Sequence, residues 1–146
     1  MGENIASNYL TKKGYKILDR NYIKVWDDKT KGEIDIIAKK DKIISFIEVK
    51  TAEMGWDFYP EEKVDYKKQK KLVKLAQSWL IENKIPLDSF WQIDVIGILV
   101  DRIIKKAKIR HFKNVVETSW HICGLIDILK YHWILKNIRP FDHGFF

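Results

Sequence analysis

The sequence predicts a small α/β domain, a mixed β-sheet flanked by helices. Two segments repeat apolar residues at helical spacing: Ala6, Tyr9 and Leu10 near the start, and Leu72, Leu75, Ala76, Trp79 and Leu80 further on. Between and after them lie runs rich in β-branched residues, at 33–38, 43–50 and 91–100. The resulting order is helix, strand, hairpin, helix, strand, strand, which builds a sheet with helices on its faces.

Each element follows from local signals. Gly2–Lys13 reads as a helix, and Gly14 stands where a left-handed C-cap belongs. Tyr15–Ile23 reads as a strand and Asp27–Gly32 as a loop. Glu33–Ala38 and Ile43–Lys50 form a hairpin joined by Lys39-Lys40-Asp41-Lys42. Thr51–Glu62 contains Gly55 and Pro60, lacks periodicity and reads as a loop. Lys63–Asn83 is the clearest helix, with Pro86 after its end. Trp91–Val100 is a strong strand and Ile103–Phe112 a weaker one. Residues 117–136 form a second apolar stretch, too short and too interrupted by charge to span a membrane. The expected organisation is an α/β domain over 1–116 and an apolar helical extension over 117–146. That extension packs on the domain or forms a homodimer interface.

Composition narrows the function classes. A chain of 146 residues suits one domain. With 46% hydrophobic and 32% charged residues it is neither disordered nor fibrous. One cysteine, Cys123, excludes an intramolecular disulfide and a cysteine-rich zinc module. No apolar leader opens the sequence, so a cytoplasmic location is expected. The 27 basic and 20 acidic residues give a net charge of +7. All of it lies on 1–116, because 117–146 carries three residues of each sign. A basic domain points to a polyanion, most often nucleic acid; the plainer reading is charge that serves solubility.

The hairpin carries the chemistry. Strand side chains alternate, so Glu48 and Lys50 share one face, and Ile47 and Val49 the other. Glu33 and Asp35 likewise share a face, opposite Ile34, Ile36 and Ala38. An aligned hairpin brings Asp35 near Glu48 and Lys50, and a slip of one residue would destroy this. Two carboxylates on rigid strands suit Mg²⁺ or Mn²⁺, with the Val49 carbonyl as a further hard ligand. Such an ion polarises a phosphate and acidifies a bound water. Lys50, two residues on, can orient that water and offset transition-state charge. The competing reading is a solvated amphipathic strand. Three features weigh against it: Asp35 precedes Glu48 by a hairpin-compatible spacing, both strands are apolar enough to be central, and a basic helix follows.

A wider set of residues resembles the YraN-like bacterial proteins. Gly2, Glu3, Ala6, Tyr9, Leu10, Gly14 and Tyr15 open the match, and Asn21, Gly32–Ala38 and Phe46–Thr51 continue it. Val64, Lys68, Leu72, Ala76, Leu80, Asp94-Val95, Ile109–Phe112 and Asn114 complete it, so the likeness spans residues 1–116. It implies a restriction-endonuclease-like fold, similar to archaeal Holliday junction resolvases, in the superfamily named for its PD-(D/E)xK motif. In that likeness Asp35, Glu48 and Lys50 stand for the motif residues, and Glu3 for a first-helix glutamate completing the metal site. Ile34 replaces the motif proline, Ala52 stands where a basic residue often follows, and Gln92 stands where Arg is usual.

Other candidates follow from position. Glu3 lies on the inward face of the first helix; a carboxylate favouring the helix dipole is the alternative. Lys68 extends the stripe of Leu72 and Leu75 toward the site and suits a phosphate contact, with Gln69 a weaker candidate. Trp56, Phe58 and Tyr59 can close their loop or stack on unpaired bases. The spacing of His121, Cys123, His132 and His143 matches no zinc motif. The expected function is a metal-dependent nuclease acting on structured DNA, branched or damaged. The rival classes are a nucleic-acid-binding module that does not cleave and an assembly partner that uses the extension.

Overall fold

The computed structural model describes residues 1–53, 66–101, 103, 106–116 and 142–145. The elements are α1 (Gly2–Lys12), β1 (Lys16–Asp27), β2 (Thr30–Lys40), β3 (Ile43–Glu53), α2 (Tyr66–Glu82), β4 (Trp91–Asp101), β5 (Lys106–Phe112) and β6 (Asp142–Phe145). The strands form one sheet in the order β1-β2-β3-β4-β5-β6. Among the described strands only β3 and β4 pair in parallel, and α2 lies in the connection between them. The predicted mixed sheet flanked by helices is the fold observed.

The two helices cover opposite faces. On the α1 side, Ala6, Tyr9 and Leu10 pack with Ile36, Ala38, Ile47, Ile96, Ile98 and Ile109. On the α2 side, Leu72, Leu75, Trp79 and Leu80 pack with Ile34, Ile37, Phe46, Ile93 and Val95. The Phe46 ring meets Trp79 and Trp91 edge-on. Full burial of such a side chain contributes roughly 1.5–3 kcal/mol. β3 is buried on both faces over Ile44–Ile47, as the partner in a parallel pair requires.

Turns explain most boundary differences. Gly14 adopts φ +84°, and Tyr15 N–H donates to the Leu10 carbonyl at 2.9 Å, the expected left-handed stop of α1. The expected loop over Asp27–Gly32 is instead a tight turn at Asp28-Lys29 between two extended strands. Asp27 Oδ1 accepts the N–H groups of Lys29 (2.9 Å) and Thr30 (2.8 Å), so one side chain closes the turn. The β2–β3 connection also shortens, to Asp41-Lys42, with Asp41 at φ 54°.

The expected helical extension is not helical at its far end. Residues 142–145 form β6, which pairs antiparallel with β5 and covers an edge that would otherwise present unpaired backbone groups. Residues 117–141 lie outside the described residues, and with them the expected helix, the homodimer interface and the residues His121, Cys123 and His132. So do residues 54–65, with Trp56, Phe58 and Tyr59. Among the described residues no helix is long and apolar enough to cross a membrane.

Candidate active site

The site begins with a phase change in β1 and β2. Along β2, Ile37 belongs to the α2-side core, Ile36 to the α1 side and Ile34 again to the α2 side. Strict alternation would put Ile34 with Ile36, as the sequence predicted. The extra step falls at Asp35. Asn21 on β1 stands between the same two ladder pairs, Arg20–Ile36 and Tyr22–Ile34, and takes φ 54°. A left-handed residue is uncommon outside glycine, though asparagine tolerates it. The kink at Asn21 and the step at Asp35 re-aim both strands together, as a bulge does.

The β2–β3 ladder ends at the same point. Its last pair toward the site is Ile36–Ile47. Continued by one residue, the register sets Asp35 opposite Glu48, the alignment expected from the sequence. Instead of a backbone acceptor, Asp35 Oδ2 takes the Val49 N–H at 2.6 Å. Among the described residues Asp35 Oδ1 accepts no hydrogen bond.

Glu48 sits on the α2 side of β3, because Ile47 and Val49 pack with the α1-side core. Its Oε1 forms an ion pair with Lys68 Nζ of α2. A groove of about 440 Å³ opens here. Three carboxylates (Glu33, Asp35, Glu48) and three lysines (Lys67, Lys68, Lys71) line it, over Leu72 and Leu75. Burial, first, and the charges of Glu48, Glu3 and Glu33 push the Asp35 carboxyl up to about 6, against the Val49 N–H, which favours the anion.

The structure therefore brings Asp35, Glu48 and Lys68 together. Lys50 shares the α2 face with Glu48, one alternation further along β3, and does not line the groove. Glu3 is close enough for its charge to act on Asp35, yet its Oε2 stands 4.0 Å from the Arg20 guanidinium. The start of α1 lies against the end of β3, where a Cβ on Gly2 would collide with Thr51 Oγ1. Gln69 follows Lys68 on α2 but does not line the groove.

The donor chemistry suits a hard divalent cation. Among the described residues no three His, Cys, Asp or Glu side chains converge on a metal position. Mg²⁺ needs fewer, since it is commonly held by one or two carboxylates and keeps several waters. Asp35, Glu48 and the Val49 carbonyl supply such a set.

A second polar cluster, on the α1 side, was not read from the sequence. Asp94 is fully buried and receives Gln92 Nε2 (2.9 and 3.2 Å), the Asn114 N–H (2.9 Å) and a contact from His111 Nε2 (3.0 Å). The His111 ring lies 5.9 Å from the rings of both Tyr9 and Tyr15. Gln92, met in the sequence as a departure from an expected arginine, is thus a donor to a buried carboxylate. The signal available was an aspartate within the apolar run Ile93–Val100.

Fold and site together define a class: an α/β protein in which two adjacent strands present paired carboxylates toward a lysine-rich helix. The chain belongs to the uncharacterised protein family UPF0102, whose model matches residues 2–98. It is 44% identical over 115 residues to a UPF0102 protein of Alkaliphilus oremlandii, covering 78% of this chain and 92% of that one. It is 42% identical over 118 residues to a UPF0102 protein of Fervidobacterium nodosum, covering 79% and 78%. The family expected from the sequence is the family found.

Proposed function

We propose that the groove is the active centre of a metal-dependent phosphodiesterase acting on nucleic acid, with structured DNA, branched or damaged, as its substrate. The observation that carries this reading is the opening of the β2–β3 ladder where Asp35 and Glu48 face each other. Backbone hydrogen bonds are given up at that point and a carboxylate is half-buried, both of which cost stability and neither of which the fold needs.

Asp35, Glu48 and the Val49 carbonyl would hold Mg²⁺ or Mn²⁺, with Glu3 supporting from α1. When bound, such an ion polarises the phosphate and lowers the pKa of a coordinated water. Lys50, on the same face as Glu48, would orient the attacking water and offset the charge that develops on the phosphate. Lys68 and its neighbours on α2 attract and position the phosphate backbone. The net charge of +7 supports the choice of a polyanionic substrate.

The test is calorimetric titration of the parent protein and of Glu48→Ala with Mn²⁺ and Mg²⁺. A nuclease screen over four-way junction, duplex, single-stranded DNA and RNA follows. Metal binding lost in Glu48→Ala, with cleavage lost in parallel, is the expected result. Nucleic-acid binding with no cleavage under either metal would favour the non-catalytic module. One observation speaks for that module: Lys68 forms an ion pair with Glu48.

A further inference from the structure

Two cations on the α2 side of the sheet lack partners among the described residues. Lys50 makes no hydrogen bond or ion pair there. Neither does Arg110 of β5, and its Nε is buried without an acceptor. Their placement is set by register. Lys50 pairs with Gly97 of β4, and Gly97 pairs with Arg110, so the three lie in one row across the sheet, which His143 of β6 continues beyond Arg110. All three point to the same side. Val49, Ile96, Ile98, Ile109 and Ala107 belong to the α1 side, while Phe112, two residues from Arg110, packs on the α2-side core. Gly97 puts no side chain between the two cations. With adjacent strands about 4.8 Å apart, the Cα atoms of Lys50 and Arg110 stand about 10 Å from each other.

The neighbouring row on the same face is Glu48–Val95–Phe112. Its one carboxylate, Glu48, is engaged by Lys68. Among the described residues, neither row therefore offers Arg110 a counter-ion. A guanidinium with a buried, unpartnered nitrogen lowers the stability of the folded chain. A ligand that brings its own acceptors explains the cost.

We propose that Arg110 binds a phosphate of the nucleic-acid strand, flanking the phosphate held at Asp35 and Glu48. The inference rests on the phosphodiester reading of the groove. The planar fork of arginine matches two oxygens of one phosphate, which a lysine at that position would not. The row then acts as a track: Lys50 at the reacting phosphate and Arg110 about two strands away, on a neighbouring one. Contact through the backbone fixes position along the strand and reads no bases.

The experiment uses the full chain and a fluorescein-labelled DNA four-way junction, with the matching duplex and single strand. Binding is followed by anisotropy over a KCl series for the parent, Arg110→Met and Arg110→Lys. Arg110→Met is expected to weaken binding about tenfold, the loss of one charge-assisted contact. The salt slope falls by about 0.9 on duplex DNA. Its thermal midpoint stays equal to the parent's or rises, because a buried unpaired group is removed. Arg110→Lys keeps the salt slope and recovers part of the affinity. Unchanged affinity and slope in Arg110→Met would overturn the proposal. So would a loss of affinity that merely tracks a loss of thermal stability in both variants. Cleavage by the parent with no effect of Arg110→Met removes this inference and leaves the nuclease reading. Arg110-dependent binding without cleavage does the reverse, and no binding by the parent to any of the three DNAs removes both.

Discussion

Lys68 of α2 and Glu48 of β3 are ion-paired across the groove, with the lysine side chain 42% exposed and the glutamate 16%. The pair joins the helix to the strand at the point where β2 has parted from β3. A cation already stands where a divalent ion would bind, so the two compete for the Glu48 carboxylate. An ammonium is a single mobile charge on a flexible stem, and its exchange for Mn²⁺ needs only rotamer changes.

Lys68→Met should therefore raise Mn²⁺ affinity several-fold, read by calorimetry at fixed pH and ionic strength. Lys71→Met, which removes the same charge from the same groove without touching the pair, should raise it less. Equal effects from the two would mean that general repulsion, not the pair, limits the metal. A lower affinity in Lys68→Met would refute the competition outright.

Asp35 should make the metal-free protein less stable as pH rises. Its carboxyl is pushed up to about 6, mainly by burial. The folded state then holds a proton that the unfolded state, titrating near pH 4, has released. Stability contributed by the protonated form is full below pH 4 and is lost as pH rises through 6. Asp35→Asn, which keeps an acceptor for the Val49 N–H, should melt higher than the parent at pH 7 in EDTA. The gap should close by pH 4. A parent that matches Asp35→Asn at both pH values would show that the carboxyl is not strained.

The fold was legible because its signals are local. The stripe from Leu72 to Leu80 and the β-branched runs each fix an element by their own periodicity. The nearness of Asp35 to Glu48 was legible for the same reason, since a short hairpin sets its own register. Three features were not. The step at Asp35 depends on Asn21 taking a left-handed backbone on another strand, and no periodicity in β2 records that. The partners of Asp94 come from β4, β5 and Asn114 just after β5, gathered by the antiparallel pairing of β4 with β5, which the periodicity of neither strand records. Arg110 stands out in the sequence only through the family resemblance. Its row with Lys50 exists only once β3, β4 and β5 are in register.

Asp94 should be a stability residue and not a catalytic one. It lies on the opposite face of the sheet from the groove and is fully buried under three donors. Asp94→Ala leaves those donors unsatisfied in the interior, at a cost of about 3–5 kcal/mol. Asp94→Asn keeps the shape and an acceptor oxygen and should cost less. Urea unfolding of both variants measures this. A loss under about 1 kcal/mol in Asp94→Ala would mean that water replaces the carboxylate.

Lys50 should separate binding from cleavage. It shares a face with Glu48, and no described residue neutralises it, so its charge is available to the reacting phosphate. It does not line the groove where the carboxylates lie, so its removal should leave the metal's ligands in place. Lys50→Met is then expected to keep Mn²⁺ affinity within about twofold, since no ligand is lost. Single-turnover cleavage should fall by about 10²–10³, the usual cost of deleting one group aimed at developing charge. The comparison with Glu48→Ala is decisive, because that variant should lose metal and cleavage together. If Lys50→Met also loses the metal, the lysine supports the carboxylates and does not meet the transition state. If it cleaves as fast as the parent, charge on the phosphorane is met from α2, and Lys68 becomes the residue to remove next.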